Sequence, residues 1–574
     1  MKKRVLLSLA LVILFSAQPA RAFDMTILHV NDSHSYLEES RDTLVLDGKP
    51  TAVHLGGWPR LTSAVAAVRR TSVNVALLHA GDAVQGDLYF MKYYGMPEME
   101  FLNRLDFDAM VLGNHEFDKG VNALASFLRY TDTPMLGANI DASGVPALKR
   151  RLKPYVIIHF GPDRVGIIGL TIKDTKFTSS PGPLVSFADE ADTARRYVRE
   201  LEALGVNKII LLTHVGLGLD RKLAATVPGV DVVVGGHSHS LLGDSGAMHD
   251  LGKTVEGPYP MVVTGADGND VYVVTAWKWD RVLGRLDVSF DEQGRVTSAT
   301  GKPLMLVADD FKRKDGAGNM VTLGGQERQA VLDALAGNPM TAVLGDDAAA
   351  AAFLMPYSEG IRSMREDVIG KAVQPIPHIR VPGRSESGVL LPHGSLLAPI
   401  VAQSMLARLA HTGKPADLAL LNGGAVRDNL EEGDLTVGTA YTLLPFANTL
   451  FVLNVTGAQI RDALEYGVTR GLGAFPYVAG ARYTADMTRP EGERITSVDV
   501  RKGGQWLPLV AGRKYRLVTN SYMANGGDGY TMLKKVIGRY DTGFMDSQAF
   551  IEYVKDHKEL APLKVTAVTY MPAR

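Results

Sequence analysis

The sequence predicts a two-domain α/β protein, and three observations carry that expectation. At 574 residues the chain is longer than a single hydrophobic core organises. Through its first half, apolar runs of strand length alternate with stretches of helical spacing. Five of those runs end in side chains able to hold a metal: Asp32-Ser33-His34, Gly81-Asp82, Gly113-Asn114-His115-Glu116-Phe117-Asp118, Thr213-His214 and Gly236-His237-Ser238-His239. Strand ends are where open α/β sheets build their sites, so these five stretches are expected to converge.

The chain starts with Lys2-Lys3-Arg4, an apolar run from Val5 to Phe15, and Ala20-Arg21-Ala22. The run falls short of the roughly 20 residues that span a bilayer, and a small-x-small triplet follows, so residues 1–22 read as an export signal. The mature chain would begin at Phe23 and be exported, to the periplasm in a Gram-negative cell. A net charge of -1 offers no basic surplus for nucleic acid or an anionic membrane. The absence of cysteine excludes a lipid thioether, disulfides and thiolate ligands. Val565 to Arg574 is no apolar tail, and nothing marks a partner protein.

Met25–Val30 reads as the first strand, and a helix follows with Leu61, Ala64, Val65 and Val68 on one face and Pro59 in its first turn. Val73–Leu78 and Ala109–Leu112 are further strands, the latter leading to a helix that carries Val121, Leu124, Phe127 and Leu128. Val165–Leu170, Ile209–Leu212 and Val230–Val234 are buried strands, and Ala194 to Leu204 is a helix stopped by Gly205. Leu286–Phe290 reads as the last strand of a first domain covering 23–306. Residues 307–371 read as a connector, with an alanine run at Ala348–Ala352 and a helix over Tyr357–Val368.

Asp32, His34, Asp82, Asn114, His214, His237 and His239 are hard or borderline donors suited to Zn, Mn or Co. Two ions about 3.5 to 4 Å apart need a shared ligand, and Asp82 can bridge. His115 is free to meet a phosphoryl oxygen or a leaving group, with Asp118 orienting it. His29, His54, His79, His159 and His249 read as structural or surface histidines.

The second domain, 372–574, has basic positions at Arg380 and Arg384 and a helix over Leu396–Leu409. The strand Leu418–Leu421 runs into Asn422-Gly423-Gly424-Ala425-Val426-Arg427. Thr456 and Gln459 make a capping box. A second Gly-rich loop, Asn520 to Tyr530, follows a strand at Tyr515–Val518, and Phe446 and Tyr522 are aromatics on loops, able to stack on a base.

The ordered motifs Asp-x-His, Gly-Asp, Gly-Asn-His-Glu, Thr-His and Gly-His-x-His resemble the calcineurin-like metallophosphoesterase superfamily. The strings Leu28-His29-Val30-Asn31-Asp32, Gly113 to Asp118 and Gly235 to His239 resemble its 5′-nucleotidase branch, which includes bacterial UDP-sugar hydrolases and animal ecto-5′-nucleotidases. The resemblance covers nearly the whole mature chain. It implies a four-layer α/β/β/α sandwich, a linking helix about which the C-terminal domain rotates, and an α/β substrate-binding domain.

By the same resemblance Asp32, His34, Asp82 and His239 hold one divalent ion, Asp82, Asn114, His214 and His237 the other, and His115 with Asp118 forms the catalytic dyad. Phe446 and Tyr522 match the base clamp, Asp528 the ribose acceptor, Asn422 and Arg427 substrate contacts, and Asn448 a nucleoside contact; Arg380 and Arg384 have the spacing of phosphate ligands. Tyr522 departs from the usual Phe, and the stretch from Arg384 to Gly394 is longer than in the bacterial relatives. The implied reaction is hydrolysis of nucleoside 5′-monophosphates, with UDP-sugars or NAD as further substrates. A 2′,3′-cyclic-nucleotide phosphodiesterase with 3′-nucleotidase activity and a non-catalytic nucleotide binder are the alternatives; a thiosulfohydrolase would not need the aromatics.

Overall fold

A computed structural model describes residues 22–316, 319–384, 390–413, 415–446 and 448–572. Except for Ala22, the export signal lies outside them. Among the described residues, no helix is long and apolar enough to cross a membrane.

The first half is a four-layer α/β/β/α sandwich. Its larger sheet centres on Phe23–Val30, which pairs in parallel with Val75–His79 and antiparallel with Val282–Phe290. The smaller sheet has the order Met261–Thr264, Asp270–Val274, Val232–Gly235, Ile209–His214, Asp163–Thr171, Tyr155–Phe160. Strand alternation divides the cores. Ile27, Leu78, Val111, Ile167, Leu212 and Val234 meet between the sheets. Their neighbours face outward instead: Leu28, Leu77 and Met110 toward the helices Trp58–Arg69 and Met96–Arg104, and Ile168 and Leu211 toward Glu190–Ala203. That last helix begins where the Asp189 carboxylate accepts from the amides of Ala191 and Asp192.

Three expectations about the middle of the chain are corrected. Val282–Phe290 is followed by Val296–Val307, which pairs antiparallel along it; the polar stretch 296–302 hides the strand because its outer positions face solvent. Gly325–Gly337 is a helix. The alanine run belongs to one helix, Ala348–Met364, capped by Asp347 through the amide of Ala350, and it spans Pro356. Tertiary contacts outweigh the proline: Tyr93 Oη donates to the carbonyl of Tyr357, Tyr89 and Ser358 share a hydrogen bond, and the Arg104 guanidinium lies 3.8 Å over the Phe353 ring.

The second half is built on a five-stranded sheet in the order Pro476–Ala479, Leu418–Asn422, Lys514–Asn520, Thr449–Thr456, Arg539–Met545. The helices Ala398–Ala410 and Asp546–His557 pack together beside it. The Thr456–Gln459 capping box forms, with both reciprocal hydrogen bonds present.

Candidate active site

The five motif loops meet at one end of the sandwich. Asp32, His34 and His239 form one cluster of potential metal donors, and Asp82, His214 and His237 a second. Nε2 of His34 and Nε2 of His239 converge to 2.9 Å, and Asp82 Oδ2 lies 2.8 Å from His214 Nε2 and 4.0 Å from His34 Nε2, between the clusters. Buried Asn114 has an Oδ1 with no hydrogen-bond partner. The Nδ1–H of His34 donates to the Gln85 carbonyl and that of His214 to the Ala80 carbonyl, each at 2.7 Å, which turns both Nε2 atoms inward. Burial alone would lower the His214 pKa, but the Asp82 carboxylate beside its Nε2 outweighs it and raises it to about 10 unless a cation lies between them. Burial pushes the His34 and His237 imidazoles down to about 3 and 4, the neutral form that ligates a metal. The donor set therefore fits two divalent ions.

Backbone strain marks the same place. Asp32, His34, Asp82, His237 and His239 hold φ of 53, 50, 55, 78 and 51°, the left-handed region that side chains avoid. The loops are pinned by Glu116, whose carboxylate accepts from the amides of Asp82, Ala83 and Gly113. Only glycine fits at position 113, where a Cβ would come within 2.1 Å of Asp82 Oδ1. The sequence motif contains Glu116, but its task became visible only in the fold.

His115 Nδ1–H donates to Asp118 Oδ2 at 2.6 Å, and Ser179 Oγ donates to Asp118 Oδ1 at 2.6 Å. Burial alone would lower the His115 pKa, but Asp118 and Asp82 outweigh it and raise it to about 9. Ser179 gave no signal in the sequence because it lies 61 residues from Asp118. His29 bonds to Tyr259, while His79 bonds to Ser33 and accepts from the Gly81 amide, so it braces the loops that carry Asp32, His34 and Asp82.

In the second domain Arg380, Asn422, Arg427, Phe446, Asn448, Tyr522 and Asp528 line one cavity of about 730 Å³. Arg384 sits in the short strand Gly383–Arg384, and its side chain lies outside the described residues. Tyr522 lays one ring face on Gly527, where a Cβ would be 2.6 Å from three ring atoms, and its other face is open. Its hydroxyl donates to Asp528 Oδ1 at 3.0 Å, while Asn422 Nδ2 donates to Asp528 Oδ2 at 2.8 Å. Phe446 is 52% exposed, with the Arg427 guanidinium 5.4 Å from its centroid. Tyr466, Arg470 and Asn520 also line this cavity and were not singled out from sequence.

Asn448 and Tyr522 also border a second cavity of about 850 Å³, between the domains, whose opposite wall includes His237, His239, Trp277 and Lys278. Elsewhere the seam is closed. Gln85 Nε2 donates to Gln548 Oε1, Asp541 Oδ2 approaches His239 Nδ1 at 3.4 Å, and the Phe544 ring stands edge-on to His115.

A family model described as "Calcineurin-like phosphoesterase" matches residues 25–241, and one described as "5'-nucleotidase, C-terminal domain" matches residues 376–535. The chain is 37% identical over 552 residues to the "Probable 5'-nucleotidase" of Treponema pallidum, covering 93% of this chain and 92% of that one. It is similar to the solved NAD nucleotidase of Haemophilus influenzae, with 32% identity, a TM-score of 0.84 and coverage of 96% and 100%. The solved 5′-nucleotidase precursor of Thermus thermophilus shares 37% identity and the same coverage, with a TM-score of 0.58.

Proposed function

Since the chain belongs to the 5′-nucleotidase family of calcineurin-like phosphoesterases, and is thus a metal-dependent hydrolase of nucleotides, we propose that its reaction is nucleoside 5′-monophosphate plus water to nucleoside plus phosphate. One observation carries this reading: the converging donor clusters share a molecule with a cavity holding two ring faces and a carboxylate, where a base and a ribose find partners. The division of labour follows 23–306 for the chemistry, 307–371 as connector and 372–574 for the substrate. Residues 1–22 direct export, into the periplasm in a Gram-negative cell.

Asp32, His34, Asp82 and His239 would hold one divalent ion and Asp82, Asn114, His214 and His237 the other. Zn, Mn or Co there would supply Lewis-acid charge to the phosphoryl oxygens and lower the pKa of the attacking water. Asp118, fixed by Ser179, keeps the His115 imidazole charged and turned so that Nε2–H donates to the phosphoryl group as negative charge builds on it. Phe446 and Tyr522 stack on the base, Asp528 accepts from the ribose hydroxyls, and Asn448 contacts the nucleoside. Arg427, Asn422, Arg380 and Arg384 hold the rest of the substrate and its phosphate.

The substrate domain must move for chemistry. His115 is buried under the second domain, and its Nε2 faces backbone. Two relatives of similar identity differ in TM-score, 0.84 against 0.58, as the same two domains at another mutual angle would give. The helix Ala348–Met364 is the pivot of this reading. NAD and UDP-sugars are proposed as further substrates, since the clamp of Phe446 and Tyr522 grips the base and not the leaving group.

The test is a panel of AMP, 3′-AMP and 2′,3′-cyclic AMP. Turnover of AMP well above the other two supports the reading; activity confined to the cyclic and 3′ esters replaces it with the phosphodiesterase alternative.

A further inference from the structure

The loop between Asp270–Val274 and Val282–Phe290 is strained without any glycine to relieve it. Trp277, Trp279 and Asp280 hold φ of 61, 61 and 53°. Four hydrogen bonds to the first domain hold this shape, three of them from the Asn31-Asp32-Ser33 loop of the site and one from Trp58. Asn31 Nδ2 donates to the Trp277 carbonyl at 2.7 Å, and the Trp279 amide donates to the Asp32 carbonyl at 2.8 Å. Ser33 Oγ and Trp58 Nε1 both donate to the Asp280 carboxylate. Strain sustained by so many contacts needs a purpose, and its product is the placement of Lys278.

Lys278 stands between two residues of reversed backbone. Its ammonium lies 4.0 Å over the Trp279 ring and borders the 850 Å³ cavity beside His237 and His239. Half-buried, it forms no ion pair with any described residue. Burial pushes its pKa down to about 8, with Asp541 across the cavity opposing that fall. A desolvated ammonium lacking a salt-bridge partner attracts an entering anion strongly. Trp277, on the same wall, offers an aromatic surface to whatever that anion carries.

We propose that Lys278 binds a second phosphate group, and that it thereby admits substrates with a pyrophosphate linkage. This rests on the nucleotide reading above. The placement separates two kinds of leaving group. In a monoester, water oxygen bonds to phosphorus, the P–O5′ bond breaks, and the departing alkoxide needs a proton. In a pyrophosphate the bridging P–O bond breaks, its electron pair leaves with the second phosphate, and a water proton passes to solvent. That leaving phosphate needs a cation rather than a proton. Lys278 supplies a cation on the His237–His239 side, where His115 does not border the cavity.

The experiment compares kcat/KM for NAD and UDP-glucose with that for AMP in the wild-type chain, Lys278→Met and Lys278→Arg. Metal content and Tm are recorded for each. Methionine keeps the aliphatic packing on Trp279 and removes the charge. The expected result is at least a tenfold fall in the NAD-to-AMP and UDP-glucose-to-AMP ratios for Lys278→Met, largely restored by Lys278→Arg. Unchanged ratios, a loss shared equally with AMP, or a fall that tracks lost metal would overturn the proposal. So would a wild-type chain that cleaves AMP and neither pyrophosphate. A chain inactive on all three refutes the nucleotide reading itself, and the proposal with it.

Discussion

Nε2 of His115 faces the backbone of Gly543, a residue of the other domain, so closely that a Cβ at position 543 would lie 2.1 Å from that nitrogen. The φ of Gly543 is 69°, a second reason for glycine there. The segment Asp541–Phe544 thus covers His115 while the cavity lined by Phe446, Tyr522 and Asp528 lies elsewhere in the same domain. Gly543→Ala should push the seam apart. The rate at which diethyl pyrocarbonate modifies His115, followed by mass spectrometry, is expected to rise severalfold; an unchanged rate would mean that Gly543 does not shield the ring.

His115→Ala should reduce kcat for AMP by a factor on the order of 10² to 10⁴ while both metal ions remain bound. Asp118→Asn should have a smaller effect in the same direction, since it leaves the imidazole in place without its charge partner. Metal analysis beside the kinetics is decisive: a His115→Ala protein that loses an ion would make His115 a ligand.

Phe446→Ala removes one stacking surface, a loss of about 1 to 3 kcal/mol. KM for AMP should rise far more than KM for p-nitrophenyl phosphate, which has no base. Tyr522→Phe keeps the stacking and removes only the hydrogen bond to Asp528 Oδ1. The preference for AMP over 2′-deoxy-AMP is then expected to shrink, because the acceptor carboxylate is held on one side only; an unaltered preference would free the Tyr522 hydroxyl of any such role.

Asp546 opens the helix Asp546–His557 at the domain seam, and burial pushes its carboxyl up to about 7. A folded-state pKa above the unfolded one of about 3.9 means stability that is full at low pH and lost as pH rises through 7. Asp546→Asn mimics the protonated form at every pH. Its Tm advantage over the wild type should therefore grow from about pH 5 to about pH 8. A difference independent of pH would show that the fold does not raise the Asp546 pKa.

The strands and the ligand loops could be read from the chain because each reports itself locally: an apolar run, then a donor. The same holds for the Thr456–Gln459 capping box, where the pairing is three residues apart. What could not be read is set by distance in sequence. Asp118 and Ser179, or Asp541 and His239, meet only through the fold. The helix Ala348–Met364 reads locally as two pieces because Pro356 breaks its pattern, while packing on Tyr93 and Arg104 holds it as one. Val296–Val307 does not read as a strand because Thr297, Ser298, Thr300 and Gly301 spell a loop, although the neighbouring strand supplies its hydrogen bonds.

The most direct measurement is phosphate release from AMP by the chain from Phe23 to Arg574, with Zn or Mn supplied and EDTA as control, alongside the count of ions bound. Two ions per chain, with release abolished by the chelator and restored by metal, is the predicted result. Two bound ions with no release from AMP would contradict the account at its centre, since the metal site would then serve a substrate other than a nucleoside 5′-monophosphate.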